Sequence, residues 1–182
     1  MRYPKEHKAE VRARIVEAAA RALRRGGLDG VSVPALMRGA GLTHGGFYAH
    51  FESRDALVAE AVALAASQTS GVFERAADLA ASLDRYLSMG HVAHPEEGCV
   101  IAALGADGAR AEGAPRRAFS EAAKGLLRHV YARRTGRRDG ALDDASLALA
   151  AAMVGAVVLA RLVDDDALAA RILKAVRETQ RG

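Results

Sequence analysis

Between Gly26 and Ser53 the sequence GGLDGVSVPALMRGAGLTHGGFYAHFES leaves room for only two short helices, and that spacing constrains the fold more than any other feature of the chain. Ser32 is placed to accept hydrogen bonds from the first free amides of one helix, Pro34 fits its opening turn, and Gly41 ends it. Thr43 is placed to cap the other, which runs through His44 and Tyr48 to about His50. Long helices are expected on both sides. From Lys8 to Arg25 the apolar residues Val11, Ile15, Ala18, Ala19, Ala22 and Leu23 recur at steps of three and four. Arg12, Arg14, Arg21, Arg24 and Arg25 fall mostly off that stripe, and Gly26 and Gly27 stop the helix. Ser53 caps a helix from Arg54 into the seventies, with Asp55 in its first turn, where the helix dipole favours a negative charge. Two short helices around a glycine turn, flanked by long ones, form a helix-turn-helix within a three-helix head.

The stretch GLTHGGFYAHF, Gly41 to Phe51, suggests what such a head meets. Gly45 and Gly46 each cost about 1 kcal/mol in helix propensity, so something other than helix stability favours them. In a helix-turn-helix the N-terminal residues of the second helix enter the major groove, and bulky side chains there hold the backbone away from DNA. Phe47 and Phe51, four apart, can anchor the segment to its own core, while Tyr48 and His50 face outward as phosphate or base contacts. The plainer alternative is a glycine-bearing turn between core helices. Charge weighs against it: residues 1–50 hold nine Lys/Arg against four Asp/Glu, and the remainder seventeen against eighteen, which places a net +5 in the head and −1 elsewhere. A polyanion is the partner such an imbalance suits.

Apolar residues make up 51% of the chain but aromatics only 4%, with no Trp, so the hydrophobic content is Ala, Leu and Val, which favours closely packed helices. An all-α fold is expected. One cysteine rules out an internal disulfide and fits a reducing compartment. No unbroken apolar segment lies near the N-terminus, and no uncharged run reaches the length of a membrane span; the longest, Ala145 to Ala160, reads as a buried core or interface helix. A soluble cytoplasmic protein without a membrane partner is expected.

From Ala13 to Val62 the chain resembles the DNA-binding head of the TetR/AcrR family of bacterial transcriptional regulators. That pattern has a helix ending in glycine, a Ser/Thr-capped helix, a turn of glycine, hydrophobic residue and Ser/Thr, and a recognition helix ending Tyr-x-x-Phe before a basic residue. Ser32, Thr43, Tyr48, Phe51 and Arg54 fill these positions. His44 and Arg54 stand where the family often has Lys; His44 leaves the base preference open, and Arg54 keeps a phosphate-binding charge. The resemblance implies DNA contacts at Ser32, Thr43, His44, Gly45, Gly46, Tyr48, His50 and Arg54. It also implies a head at 1–52, a helical ligand-binding and dimerisation domain at 53–182, and a homodimer formed through the last two long helices. Ala145 to Leu162 is rich in small residues and apolar nearly all round, as a helix buried against a partner would be, and Asp164 to Asp166 start a final helix carrying Leu168, Ile172, Leu173 and Val176 on one side.

The function expected is a ligand-responsive regulator, a repressor released from a palindromic double-stranded DNA operator by a small molecule. Apolar pockets between bundle helices suit small lipophilic effectors, and Tyr86, Met89, Cys99, Phe119, Tyr131 and Met153 are the pocket candidates, each of which also suits plain core. The segment HVAHPEEGC, His91 to Cys99, holds potential metal ligands, but Pro95 breaks any helix that would align His91 with His94, and no metal or other cofactor is implied. Cys99 supports an alternative function, a thiol sensor of oxidants or electrophiles, against the simpler reading of a buried inert thiol. The loop RRTGRRDG, Arg133 to Gly140, reads as solvated, with arginines able to touch phosphate. An enzyme finds no support in nucleophile and base motifs or phosphate loops, and a helical interaction module leaves the basic head unexplained.

Overall fold

The computed structural model describes residues 5–179, apart from the side chains of Lys5, Glu6 and His44. The described residues form helices and no strands. In chain order the helices are α1 (Lys5–Gly26), α2 (Val33–Gly39), α3 (Arg54–Arg75), α4 (Leu79–Tyr86), α5 (Met89–Ala93), α6 (Val100–Arg110), α7 (Gly113–Thr135), α8 (Asp144–Leu162) and α9 (Asp166–Glu178), with 3₁₀ turns at Leu28–Gly30, His44–Ala49 and Pro95–Glu97.

Local chemistry sets most of the boundaries. Ser32 accepts from the Ala35 amide at 3.4 Å and Ser53 from that of Ala56 at 3.1 Å, so both act as N-caps. Asp143 starts α8 in the same way, and Asp165 accepts two amides of α9. Gly41 sits at φ +74°, a left-handed conformation that costs a side-chain-bearing residue about 1 kcal/mol or more, and it turns the chain from α2 toward the second short helix.

That second helix differs from expectation. Thr43 makes no side-chain cap bond, and His44–Ala49 is a 3₁₀ turn rather than an α-helix. Its closing bonds run from the Gly46 amide to the Thr43 carbonyl and from the His50 amide to that of Phe47, each a three-residue step. Six residues, two of them the glycines Gly45 and Gly46, are too short and too low in propensity to propagate the four-residue ladder. Tertiary packing holds the segment instead: Phe47 and Phe51 are buried and stack with centroids 5.4 Å apart.

Two buried clusters organise the molecule. The first joins Ile15, Leu23, Met37, Phe47, Phe51 and Leu57 in the head and continues into Val100, Leu104 and Phe119. The second packs Phe73, Tyr86 and Leu87 against Met153, Val157 and Leu173. Helix α3 crosses both, giving its first half to the head and Phe73 to the body. Where α6 meets α7 the Phe119 ring packs onto the backbone of α6, and a Cβ at Gly108 would lie 2.6 Å from that ring. By length and composition α3 and α8 could each span a membrane, although the longest uncharged run falls short; both are partly buried and contribute to the clusters, as core helices of globular proteins do.

Candidate nucleic-acid interface and effector cavity

Among its described side chains, the second short segment, His44–Ala49, presents one large one. Tyr48 is 71% exposed, with its ring edge-on to Phe47 at 5.3 Å, so the buried phenylalanine orients the exposed tyrosine. Ser32, Thr43, Gly45 and Arg54 are also exposed. His44 begins the segment, but its side chain lies outside the described residues. His50 is half-buried rather than turned out as Tyr48 is, and burial, with Lys8 and Arg12 nearby, holds its pKa below the usual histidine value. Arg54 donates to the Leu28 carbonyl at 2.5 Å, so it braces the loop after α1.

A Cβ built on Gly45 meets nothing within 4 Å, one on Gly46 meets only ordinary contacts, and neither residue has a positive φ. Nothing inside the chain requires glycine at either position.

Much of the head's positive charge is used internally. Arg12, part of the basic face of α1, donates to the His50 carbonyl, pairs with Glu60 at 2.5 Å and lies 4.8 Å from the Phe51 ring centroid. It ties α1, the recognition segment and α3 together. Arg24, expected off the apolar stripe, is 4% exposed. Its guanidinium donates to the Ala20 carbonyl, to Gly98 O at 3.0 Å and to Gln68 Oε1 at 2.8 Å, and Gln68 in turn donates to Glu17. Arg21 pairs with Glu97 at 3.0 Å and Arg25 with Glu96 at 3.1 Å. These three arginines grip the 95–98 segment from the head side. The exposed pairs contribute little, and the buried Arg24 carries most of the attachment. Lys8, Arg14 and Arg38 are exposed.

The gripped segment borders a cavity. About 440 Å³ lies between α3, α6 and α7, walled by Ala63, Ala66, Phe73, Cys99, Ile101 and Gly125 among others, a volume in the range of small-ligand sites, roughly 300–1,000 Å³. Of the six pocket candidates, Cys99 alone lines it. Tyr86 borders a smaller recess of about 300 Å³ that Cys99 also borders. Phe119 and Met153 are core, Tyr131 is buried with its hydroxyl 3.4 Å from the Asp139 carbonyl, and Met89 is partly exposed. Cys99 is 3% exposed, and its amide donates to His91 Nε2 at 2.9 Å. His91 Nδ1 lies 2.7 Å from the Tyr86 carbonyl and acts as the donor. Both ring nitrogens are therefore occupied in one neutral tautomer, and neither is left for a metal. Arg161 of α8 donates to the carbonyls of His91, Val92 and Ala102. Arg133 and Arg134, expected in a loop, lie in the last turn of α7 and are engaged, Arg133 with the Phe73 carbonyl and Arg134 with Asp143.

Residues 15–61 match the family model described as bacterial regulatory proteins, tetR family. These residues, the head built above, are a tetR-type head. The match supports a DNA-binding transcriptional regulator. Solved structures share the fold over nearly the whole length. A TetR transcriptional regulator from Chloroflexus aurantiacus is 22% identical over 95% of each chain, with a TM-score of 0.75. A TetR-family regulator from Cytophaga hutchinsonii is 19% identical over 94% of each, with a TM-score of 0.76. Reduced NemR from E. coli is 16% identical over 93% of this chain and 94% of its own, with a TM-score of 0.73. No curated protein sequence matches significantly.

Three histidines are expected to make the fold less stable in acid. Burial is the main cause that lowers the pKa of His50, His91 and His129, with Glu74 partly opposing it at His129 and the Tyr86 carbonyl at His91. Their folded values lie below the unfolded value near 6.5, so as pH falls the unfolded chain takes up protons first. The associated stability is fully present above about pH 6.5 and declines as pH drops from there toward the folded values. The urea midpoint is expected to be lower at about pH 5.5 than at about pH 7.5; an equal or higher midpoint at the acid end would contradict the assignment.

Proposed function

We propose that the protein is a cytoplasmic repressor that binds a palindromic operator as a homodimer and is released when a small molecule enters the cavity between α3, α6 and α7. The observation that carries this reading is the adjacency of cavity and grip: Cys99 lines the cavity, and the preceding carbonyl, that of Gly98, is held by Arg24 of the head. A ligand that shifts the start of α6 acts directly on the bond that sets the angle of α1. Such a ligand changes DNA affinity only by as much as it binds one head arrangement better than the other.

On the DNA side, the glycines that the chain itself does not need suit an interface where a backbone closely approaches a groove. Tyr48, exposed and oriented by Phe47, is a phosphate or base contact, flanked by Ser32, Thr43, His44, Gly45, Gly46 and the loop that Arg54 braces; the half-buried His50 supports the segment. Tyr48→Ala is expected to weaken operator binding by about tenfold or more while leaving the melting temperature and the oligomeric state unchanged, as anisotropy and calorimetry would show. Unchanged operator affinity would move the interface elsewhere.

The dimer is supported by the distribution of exposed apolar side chains. Among the described residues, Tyr48 and Met89 aside, the large exposed hydrophobics are Leu159, Leu162 and Leu168, all on α8 and α9. With Ala148, Ala152 and Gly155, the two α8 leucines form one stripe at steps of four and three. Leu159→Glu combined with Leu162→Glu is expected to convert the dimer to a monomer in light scattering, with dimer affinity falling about a hundredfold or more. A dimer of undiminished affinity would place the interface on another face. The alternative of thiol sensing through Cys99 gains little from its position, since the thiol is buried and an accessible one is needed.

A further inference from the structure

The cavity wall does not end at its apolar floor. His129 belongs both to the cavity and to a second concavity of about 740 Å³, whose other lining groups include Arg128, Arg133, Arg138 and Glu74. His129 lies parallel to Phe73, with centroids 6.1 Å apart and planes at 11°, and Phe73 is itself part of the cavity wall. Within one stacked pair the surface passes from apolar to cationic. Arg133 is fixed at the junction by its bond to the Phe73 carbonyl. Arg128 and Arg138 are exposed and form no ion pair among the described residues. Glu74 and the negative end of α7 oppose them, and Glu121 acts on Arg128 although Lys124 pairs it; three guanidinium groups still outweigh Glu74 and about half a charge.

The cavity makes no matching polar demand. Ser70 and Thr69, two of its hydroxyl residues, already donate to the carbonyls of Ala66 and Ala65. The remaining wall is largely alanine, glycine and branched aliphatic side chains; it also carries Ser67 and the opposite charges Arg117 and Glu121, the latter paired with Lys124. A ligand that fills both spaces therefore has an apolar part and an anionic end, and guanidinium groups bind carboxylate and phosphate more strongly than they bind neutral acceptors.

We infer that the effector is an amphipathic anion, with its apolar part in the cavity between α3, α6 and α7 and its carboxylate or phosphate on Arg128 and Arg138. This rests on the reading above that the cavity is the effector site, and it adds the chemical class.

Calorimetric titration of the full-length protein with four probes tests it: decanoate, decyl phosphate, decanol and inorganic phosphate. Both amphipathic anions are expected to bind about tenfold or more tightly than decanol, and inorganic phosphate alone to show no saturable binding. Decyl phosphate binding more tightly than decanoate names a phosphate ester, and the reverse order names a carboxylate. Arg128→Ala combined with Arg138→Ala removes two surface charges and is expected to bring both anions within about twofold of decanol. A Cβ on Gly125 meets nothing within 4 Å and so opens into the cavity, and Gly125→Phe is expected to weaken all three chain-bearing probes. Decanol binding as tightly as the anions, or anion affinity that survives the double substitution, would overturn the inference. Anion binding that leaves operator affinity unchanged would instead sink the effector reading while the site stands. Operator release by an uncharged compound with no preference for anions would sink the ligand class alone.

Discussion

Phe47→Ala is expected to lower the unfolding free energy by about 3–5 kcal/mol and to abolish operator binding at concentrations where the parent protein saturates. Phe47 is 2% exposed and stacks on Phe51 while supporting the edge of Tyr48. Its removal takes away the apolar transfer energy, opens a cavity beside Met37, and frees a six-residue 3₁₀ turn that has few bonds of its own. In a chain of this length the loss corresponds to roughly 10 °C in melting temperature, measured at fixed protein concentration because a dimer, as proposed, couples stability to concentration. A loss below about 1 kcal/mol would mean that the recognition segment is held by something other than its aromatic anchor. The contrast with Tyr48→Ala is informative, since the exposed ring contributes to DNA contact and the buried one to the fold.

Arg24→Ala is expected to destabilise the protein by about 3 kcal/mol and to weaken the response of operator binding to effector. The guanidinium is nearly fully buried, and its three partners lie on α1, on α3 and at Gly98. Truncation leaves the half-buried Gly98 carbonyl and Gln68 Oε1 without their donor inside the protein and removes the packing of the buried guanidinium; an unsatisfied polar group costs about 1–3 kcal/mol where fully buried and less where water reaches it. Arg21→Ala and Arg25→Ala remove exposed ion pairs with Glu97 and Glu96 and are expected to cost well under 1 kcal/mol each. Urea denaturation of the three variants checks the order. Equal small losses in all three would show that Arg24 is not the principal attachment.

The head was readable because its signals are local. Ser32, Gly41 and Ser53 punctuate the chain through bonds or backbone angles that involve near neighbours, and the stripe on α1 identifies Val11, Ile15, Ala19 and Leu23 as core without knowledge of what covers them. Thr43 failed as a side-chain cap because the segment after it takes a 3₁₀ path. Arg24 was unreadable for a different reason: the group that buries it arrives 74 residues later, and no periodicity in α1 announces that contact. The same holds for His91, whose neutral tautomer is imposed by the carbonyl of Tyr86 and the amide of Cys99.

A bias toward large side chains separates the pocket candidates from the cavity between α3, α6 and α7. Phe119, Met153 and Tyr131 were candidates because they are bulky, yet bulky residues fill space in a helical bundle. The open volume lies where the helices carry Ala63, Ala66, Ala118 and Gly125. Small residues facing one another across α3 and α7 were the available signal, but it takes the register of two helices far apart in sequence to read it.

The central claim is that this head recognises a particular DNA sequence rather than merely attracting phosphate. Fluorescence anisotropy of the full-length protein against DNA from immediately upstream of its own gene, beside a shuffled duplex of equal composition and across a salt series, tests that most directly. The account predicts saturable binding to the upstream duplex about three decades tighter than to the shuffled one, with a preference that persists as salt rises. Equal weak binding to both, lost steeply with salt, would contradict it.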